Sequence, residues 1–309
     1  MGARHFGFKE EGTYGTAVTP DVFVEVLDMN INEEPNFEQI KSIRSFSVRQ
    51  MIELNSLVTG DCTVQGDYQT IADILYHFYG VAPTTTGAGP YTHTLPPTAG
   101  LAATGRVGVS ATLEERRDGT LVWQHAGCKL TGFGASFGVD QSARLALSWV
   151  GQATDNTPSP ATASYRDFDV IKPSDCTVNI DGNAQDAMSF SINAGFDVDR
   201  PFVLGSTTFG QEPVENDSLS VAGSIEVLFA DMTEYDLFKT RADVDVQLSA
   251  TDGTHSATFN MNKARLTKFG IPVQGKERLK ATIEYESFFD AVATENMQAV
   301  IVNDVATIP

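Results

Sequence analysis

The chain has 309 residues, about twice a common domain, so two domains with separate cores are the first expectation. Hydrophobic residues make up 41% and charged residues 20%, and Gly (26) outnumbers Pro (13), a balance that excludes a disordered chain and suits a turn-rich fold. The net charge of −19 falls on both halves, 10 basic against 17 acidic side chains in 1–165 and 11 against 23 in 166–309; tight nucleic-acid binding, which needs Lys and Arg on phosphates, is therefore not expected.

The opening MGARHFGFKEEGTYG lacks the apolar centre of a signal peptide, Phe6 stands where a myristoylation signal needs Ser or Thr, and no run of about 18 apolar residues follows. Neither secretion nor a membrane span is expected. Next, VTGDCTVQG from Val58 reads as a strand, and Tyr68–Tyr79 as a helix, with Ile71, Ile74, Leu75 and Phe78 at i, i+3, i+4 and i+7. Residues 80–105 are rich in Gly, Pro and Thr and predict an extended surface loop or arm. Leu145, Leu147 and Trp149 alternate in a strand, and the Pro/Ser/Thr stretch 155–165 reads as a linker, dividing the chain into 1–165 and 166–309.

Alternation returns at Val178 and Ile180, Phe190 and Ile192, Val244 to Leu248, Phe259 and Met261, and Ala281 to Tyr285. One short helix is expected at Met232–Lys239, capped by Asp231 or Thr233 and anchored by Tyr235, Leu237 and Phe238. The expected fold is mainly β, two tandem sandwich or partial-barrel domains each flanked by one short helix.

The halves also resemble each other. The segment from Val58 aligns with that from Val221 at an offset of 163, matching Gly60 with Gly223, Thr70 with Thr233 and Asp73 with Asp236. Asp118, Gly119 and Thr120 recur as Asp252, Gly253 and Thr254, each a turn between alternating strands. Lys129, Leu130, Thr131, Phe133 and Gly134 recur as Arg265, Leu266, Thr267, Phe269 and Gly270 at an offset of 136. The difference of 27 residues lies between helix and hairpin of the first copy, where the 80–105 stretch sits. A duplicated domain is expected.

With Phe8-Lys-Glu-Glu-Gly-Thr-Tyr-Gly-Thr-Ala-Val-Thr-Pro20, the strand Leu57–Val64 ahead of the helix, Val203–Ser206 and the paired (K/R)LTxFG strands, the chain resembles the phage tail tube (major tail protein) family over most of both halves. The resemblance implies a virion structural protein, made in the host cytoplasm, that self-assembles into stacked rings around a lumen through which double-stranded DNA passes without tight binding. It implies tape measure, tail terminator and baseplate or tip proteins as partners. A duplicated member would build a pseudo-six-fold ring from three chains. Phe6, Phe8 and Tyr14, the 80–105 loop with Tyr91, and the C-terminal Met297, Val300 and Val302 are candidates for contacts between rings.

No G-x-S-x-G, P-loop, G-x-G-x-x-G or H-E-x-x-H occurs, and His5, His77, His93, His125 and His255 lack ligand spacing. Cys62, Cys128 and Cys176 read as reduced core thiols. No enzyme, cofactor or metal site is expected. The pairs Asp197/Asp199, Asp243/Asp245 and Glu284/Glu286 would share one strand face and are expected in solvent. The alternatives are a virion carbohydrate-binding or adhesion sandwich, disfavoured because Trp123 and Trp149 lie on apparent core strands, and a tube subunit of a contractile injection or secretion system.

Overall fold

Period-two alternation becomes strand over most of the chain. The computed structural model describes residues 4–44, 46–96, 108–205, 210–215, 218–272, 278–292 and 295–308, and it is mainly β with two helices. The first half contains β1 (His5–Glu10), β2 (Val22–Val24), β3 (Val26–Ile40), β4 (Gln50–Gln65), α1 (Ile71–Tyr79), β5 (Thr84–Thr86), β6 (Tyr91–Leu95), β7 (Ala111–Asp118), β8 (Leu121–Gly138), β9 (Gln141–Gly151) and β10 (Ala153–Asp155). The second contains β11 (Cys176–Ile180), β12 (Asn183–Gln185), β13 (Ala187–Gly195), β14 (Val198–Asp199), β15 (Val214–Glu215), β16 (Ser220–Leu228), α2 (Thr233–Thr240), β17 (Val244–Thr251), β18 (Ser256–Gly270), β19 (Lys280–Ser287) and β20 (Gln298–Asn303).

The pairing order of the first half recurs in the second. β1 pairs with β2 and β7, β7 with β8, β8 with β9 and β10, β9 with β4, and β4 with β3. Correspondingly, β11 pairs with β12 and β17, β17 with β18, β18 with β19 and β20, β19 with β16, and β16 with β13. Each half places its helix between matching strands. Gly60 and Gly223 show why the shared residues recur: a Cβ at Gly60 would stand 2.2 Å from Asn30 O, and one at Gly223 2.0 Å from Ser191 O. Both sites admit only glycine, because the neighbouring strand's backbone crosses so closely.

Both helices form where the hydrophobic spacing predicts. In α1 the turn before the helix is held by Asp67, whose carboxylate accepts the Gln69 N–H (3.1 Å) and the Thr70 hydroxyl (3.3 Å), and Gly80 closes it at φ 67°. In α2 the Asp231 carboxylate accepts the Thr233 N–H at 2.8 Å. All nine residues of α1 are buried, so its apolar stripe understates its surroundings. Phe8 packs on His77 (5.0 Å between rings), Phe78 on Phe133 (5.8 Å) and Phe196 (5.1 Å), and the Tyr79 hydroxyl donates to Met297 O (2.9 Å). Those contacts come from four distant segments, and α1 is the hub of the core.

Two connections differ from expectation. The stretch read as an extended loop forms the β5–β6 hairpin, and β6 joins β20, so this insertion of the first half adds strands to the second half's sheet. Buried His93 closes the seam against Asn303 (3.1 Å) and Val305 O (2.9 Å), and alternating Thr and His hide a strand that Gly and Pro on either side obscure. Residues 97–105 of that stretch lie outside the described residues. The Pro/Ser/Thr stretch and the residues after it lie against the first half. Glu114 accepts the Ala161 N–H (2.8 Å), Arg166 grips buried Asp73, and Ile171 bonds Gly66 and Ala143, so the strap stays with the first half until a 3-10 turn at Pro173–Asp175.

Candidate assembly surface

The two halves meet strand to strand. The C-terminal part of β8 is flanked by β9 on one side and, on the other, by β13 of the second half, in antiparallel register from Ser189 opposite Gly138 to Gly195 opposite Gly132. Phe196 extends this ladder by donating its N–H to Thr131 O at 2.9 Å. The result is one continuous run, β3–β4–β9–β8–β13–β16–β19–β18.

Both ends of the run are unpaired. Among the described residues β3 pairs with β4 alone, and the Leu266–Gly270 stretch of β18 pairs with β19 alone, since β17 leaves it at Ala264. Such an edge presents backbone donors and acceptors for another strand. The inner face of the run is core. Its outer face carries short polar side chains, Thr59 and Asp61 on β4, Ser136 on β8, Ser191 on β13 and Ser224 on β16, with the two serines hydroxyl to hydroxyl at 2.9 Å. Acidic Glu284 and Glu286 extend that face on β19. The same face carries exposed cations, Arg144 on β9 beside Ser136 and Arg265 and Lys268 on β18 beside the two glutamates.

A model of the phage tail tube protein family matches residues 3–287. The chain belongs to that family. No curated protein matches it. Family membership makes this tail tube protein a structural component of a phage tail, and no helix of the described residues is long and apolar enough to cross a membrane.

In this tail tube protein, Phe6, Phe8 and Met297 are 1%, 0% and 0% exposed, so each packs in the core of its own chain. Tyr14, Tyr91, Val300 and Val302 are half-buried; burial pushes the Tyr14 hydroxyl up to about 12. Exposed apolar side chains instead cluster on two arms. The outer part of the β3–β4 hairpin carries Phe37, Ile43, Phe46, Val48, Met51 and Leu54, and the β13–β16 connection carries Phe202, Val203, Leu204 and Val214. The second arm folds back on the first half: Lys129 pairs with Glu212 (2.7 Å) and donates to Pro213 O (3.2 Å), and Arg200 donates to Gly151 O. Apolar residues in both arms resemble core positions in the sequence, which conceals them.

The repeat-signature residues occupy matching places. Gly119 (φ 48°) and Gly253 (φ 97°) sit in the β7–β8 and β17–β18 turns beside Asp118 and Asp252. The Lys129–Gly134 segment lies just past the middle of β8, and the Arg265–Gly270 segment ends β18. The second turn is longer and carries a cluster absent from the sequence reading. His255 Nδ1 lies 2.9 Å from Asp169 and 3.2 Å from Asp252, and its Nε2 lies 3.0 Å from Asp304. Partial burial lowers the imidazole's proton affinity, but the three carboxylates outweigh it and hold its pKa above the usual value, while hydrogen bonds draw Asp252 well below the carboxylate range against burial. A proton on His255 binds the strap, the turn and the C-terminal segment together.

Of the acidic pairs, Asp243 bonds Arg265 (2.7 Å) and Lys263 (3.5 Å), and Glu284 bonds Lys268 (2.5 Å). They balance neighbouring cations across strands. Buried Cys62 and Cys128 have thiols that burial raises, consistent with inert core positions.

Proposed function

We propose that this tail tube protein is a duplicated tube subunit, that three chains close into a pseudo-six-fold ring, and that the rings stack into a hollow tube for double-stranded DNA. The observation that carries the reading is the β13–β8 junction: two units of like pairing order already share one sheet, and neither end of that sheet has a further strand beside it among the described residues. A head-to-tail contact of that kind repeats until it closes. Its role is mechanical.

The acidic balance suits a conduit. With a charge of −19, and with Arg265 and Lys268 on the outer face already paired with Asp243 and Glu284, the wall would hold few phosphates by counterion release and let DNA slide. The exposed arm tips would meet the next ring, and tape measure, terminator and baseplate or tip proteins would meet the tube's interior and ends. The carbohydrate-binding alternative has less support, since Trp149 is 2% exposed and Trp123 is covered by Arg117 at 4.4 Å.

Negative-stain microscopy with mass photometry of the purified chain tests the reading. Rings of three chains and tubes of uniform bore are expected. Monodisperse monomers would overturn the tube, and rings of six chains would overturn the trimer.

A further inference from the structure

Resting on that ring reading, the geometry points to the contact between chains: β3 of one chain adds to the Leu266–Gly270 edge of β18 in the next, with Asn32 opposite Gly270. The β13–β8 junction inside each chain is the template. Gly60 faces Ile31 across β4–β3, and Gly223 faces Ile192 across β16–β13, so each β3 position matches the β13 residue 161 further on. Positions of β8 match those of β18 at 136.

Carrying the observed register across places Ile31 opposite Ile271, Asn32 opposite Gly270, Glu33 opposite Phe269 and Glu34 opposite Lys268. Three independent features agree with this register. First, Asn opposite Gly is kept: Asn193 faces Gly134, where a Cβ would stand 3.3 Å from Asn193 Oδ1, whereas a Cβ at Gly270 meets nothing within 4 Å. The space that Asn fills at the first site is empty at the second. Second, the phase is right. Phe196 bonds Thr131, so alternate residues back to Ile192 turn their backbone toward β8. Ile31, the match of Ile192, has a carbonyl reached by Arg117 Nη2 at 3.3 Å, as a group turned away from β4 would be. Third, the charges fit, because Glu34 and Lys268, both exposed, become direct cross-strand neighbours.

Burial makes the same point. Phe133 and Ala135 are 1% and 2% exposed under the junction, while their counterparts Phe269 and Ile271 are half-buried and wait for a cover. The cover is a second copy of this chain: its β3 repeats the Ile-Asn pair of β13, Ile31-Asn32 for Ile192-Asn193, while Glu33 stands at the place of Ala194 with its carboxylate held by Ser56 and Thr154 of its own chain.

Disulfide trapping tests the register. Counting from the bonded pair Phe196–Thr131, Asn32 and Gly270 form a non-hydrogen-bonded pair, whose spacing of about 4.5 Å suits a disulfide. The N32C/G270C chain, assembled and then mildly oxidised, is expected to give a covalent ladder ending at three chains, with peptides linking positions 32 and 270. Each single variant and N32C/T267C are expected to stay largely unlinked. Rings that form without the 32–270 link, or that link better through N32C/T267C, would overturn this pairing and leave the tube reading standing. A wild-type chain that forms no ring would overturn both. Charge reversal tests the contact in another way: E34K or K268E is expected to raise the concentration needed for assembly about tenfold, and E34K/K268E to restore it. Failure of the double reversal to recover any assembly lost in the single variants would overturn the Glu34–Lys268 contact.

Discussion

The Lys129–Gly134 segment of β8 and the Arg265–Gly270 segment of β18 share Leu-Thr, Phe and Gly in register, yet they live in different surroundings. Phe133 is 1% exposed and packs against Phe78 and Phe259, whereas Phe269 is half-buried beneath Tyr235 and Phe238. Lys129 is buried and clasped by the second arm; Arg265 is exposed and held by Asp243. The helices differ in the same sense, α1 buried on every side and α2 with no buried residue. The same local pattern is thus covered in one half and partly exposed in the other. The residues encode the strand, and the neighbour decides whether it is interior.

Four substitutions sharpen or break that contrast. The largest effect is expected from Phe133→Ala, about 3–5 kcal/mol of stability by chemical denaturation, because a cavity opens in the shared core. Phe269→Ala is expected to cost about 1–2 kcal/mol and to impair ring formation more than folding; equal costs at both sites would break the comparison. Next, Arg166→Ala strands the buried Asp73 carboxylate, whose pKa burial already raises, and is expected to cost about 3 kcal/mol. Its repeat counterpart Asp236 is exposed, and Asp236→Asn is expected to stay within about 0.5 kcal/mol.

A smaller effect follows from His255. Its folded pKa lies above the unfolded value, so its contribution is complete below about pH 6.5 and is lost as pH rises through the folded value. Asp252, held low, keeps its contribution until strong acid. Thermal melts are expected to fall from pH 6 to pH 9, and His255→Gln to flatten that slope; an unchanged slope would remove the cluster's role. The smallest stability effect is at the arm tip, where Phe46→Ser is expected to move folding by less than about 0.5 kcal/mol while shortening tubes seen by microscopy.

Much of the fold is legible from residue spacing. Alternation at Leu145–Trp149 and Val244–Leu248 marks strands because one face is core and the other is not, and the Ile71–Phe78 stripe marks α1. The parts that escape are those settled by distant segments. His93 becomes a strand residue only because β20 lies beside it, and α1 is buried all round only because β1, the second arm and the C-terminal segment converge on it. The assembly surface escapes for a related reason. Phe8 and Phe46 are both aromatic residues in polar surroundings, and no local period tells the core residue from the projecting one. The open edges are legible only in part: the shared Leu-Thr, Phe and Gly align β18 with β8, while the lack of a further strand beside β18 among the described residues shows only in three dimensions.

Because β13 is joined covalently to the unit that supplies β8, a ring of three such chains has two kinds of seam. Three seams lie within a polypeptide and reform at once if parted, since their edges never leave each other's reach. The other three lie between chains and separate for good. Outward load on such a ring would pull equally on all six seams, yet chains could come apart at only three places around its circumference, where an undivided six-chain ring would offer six.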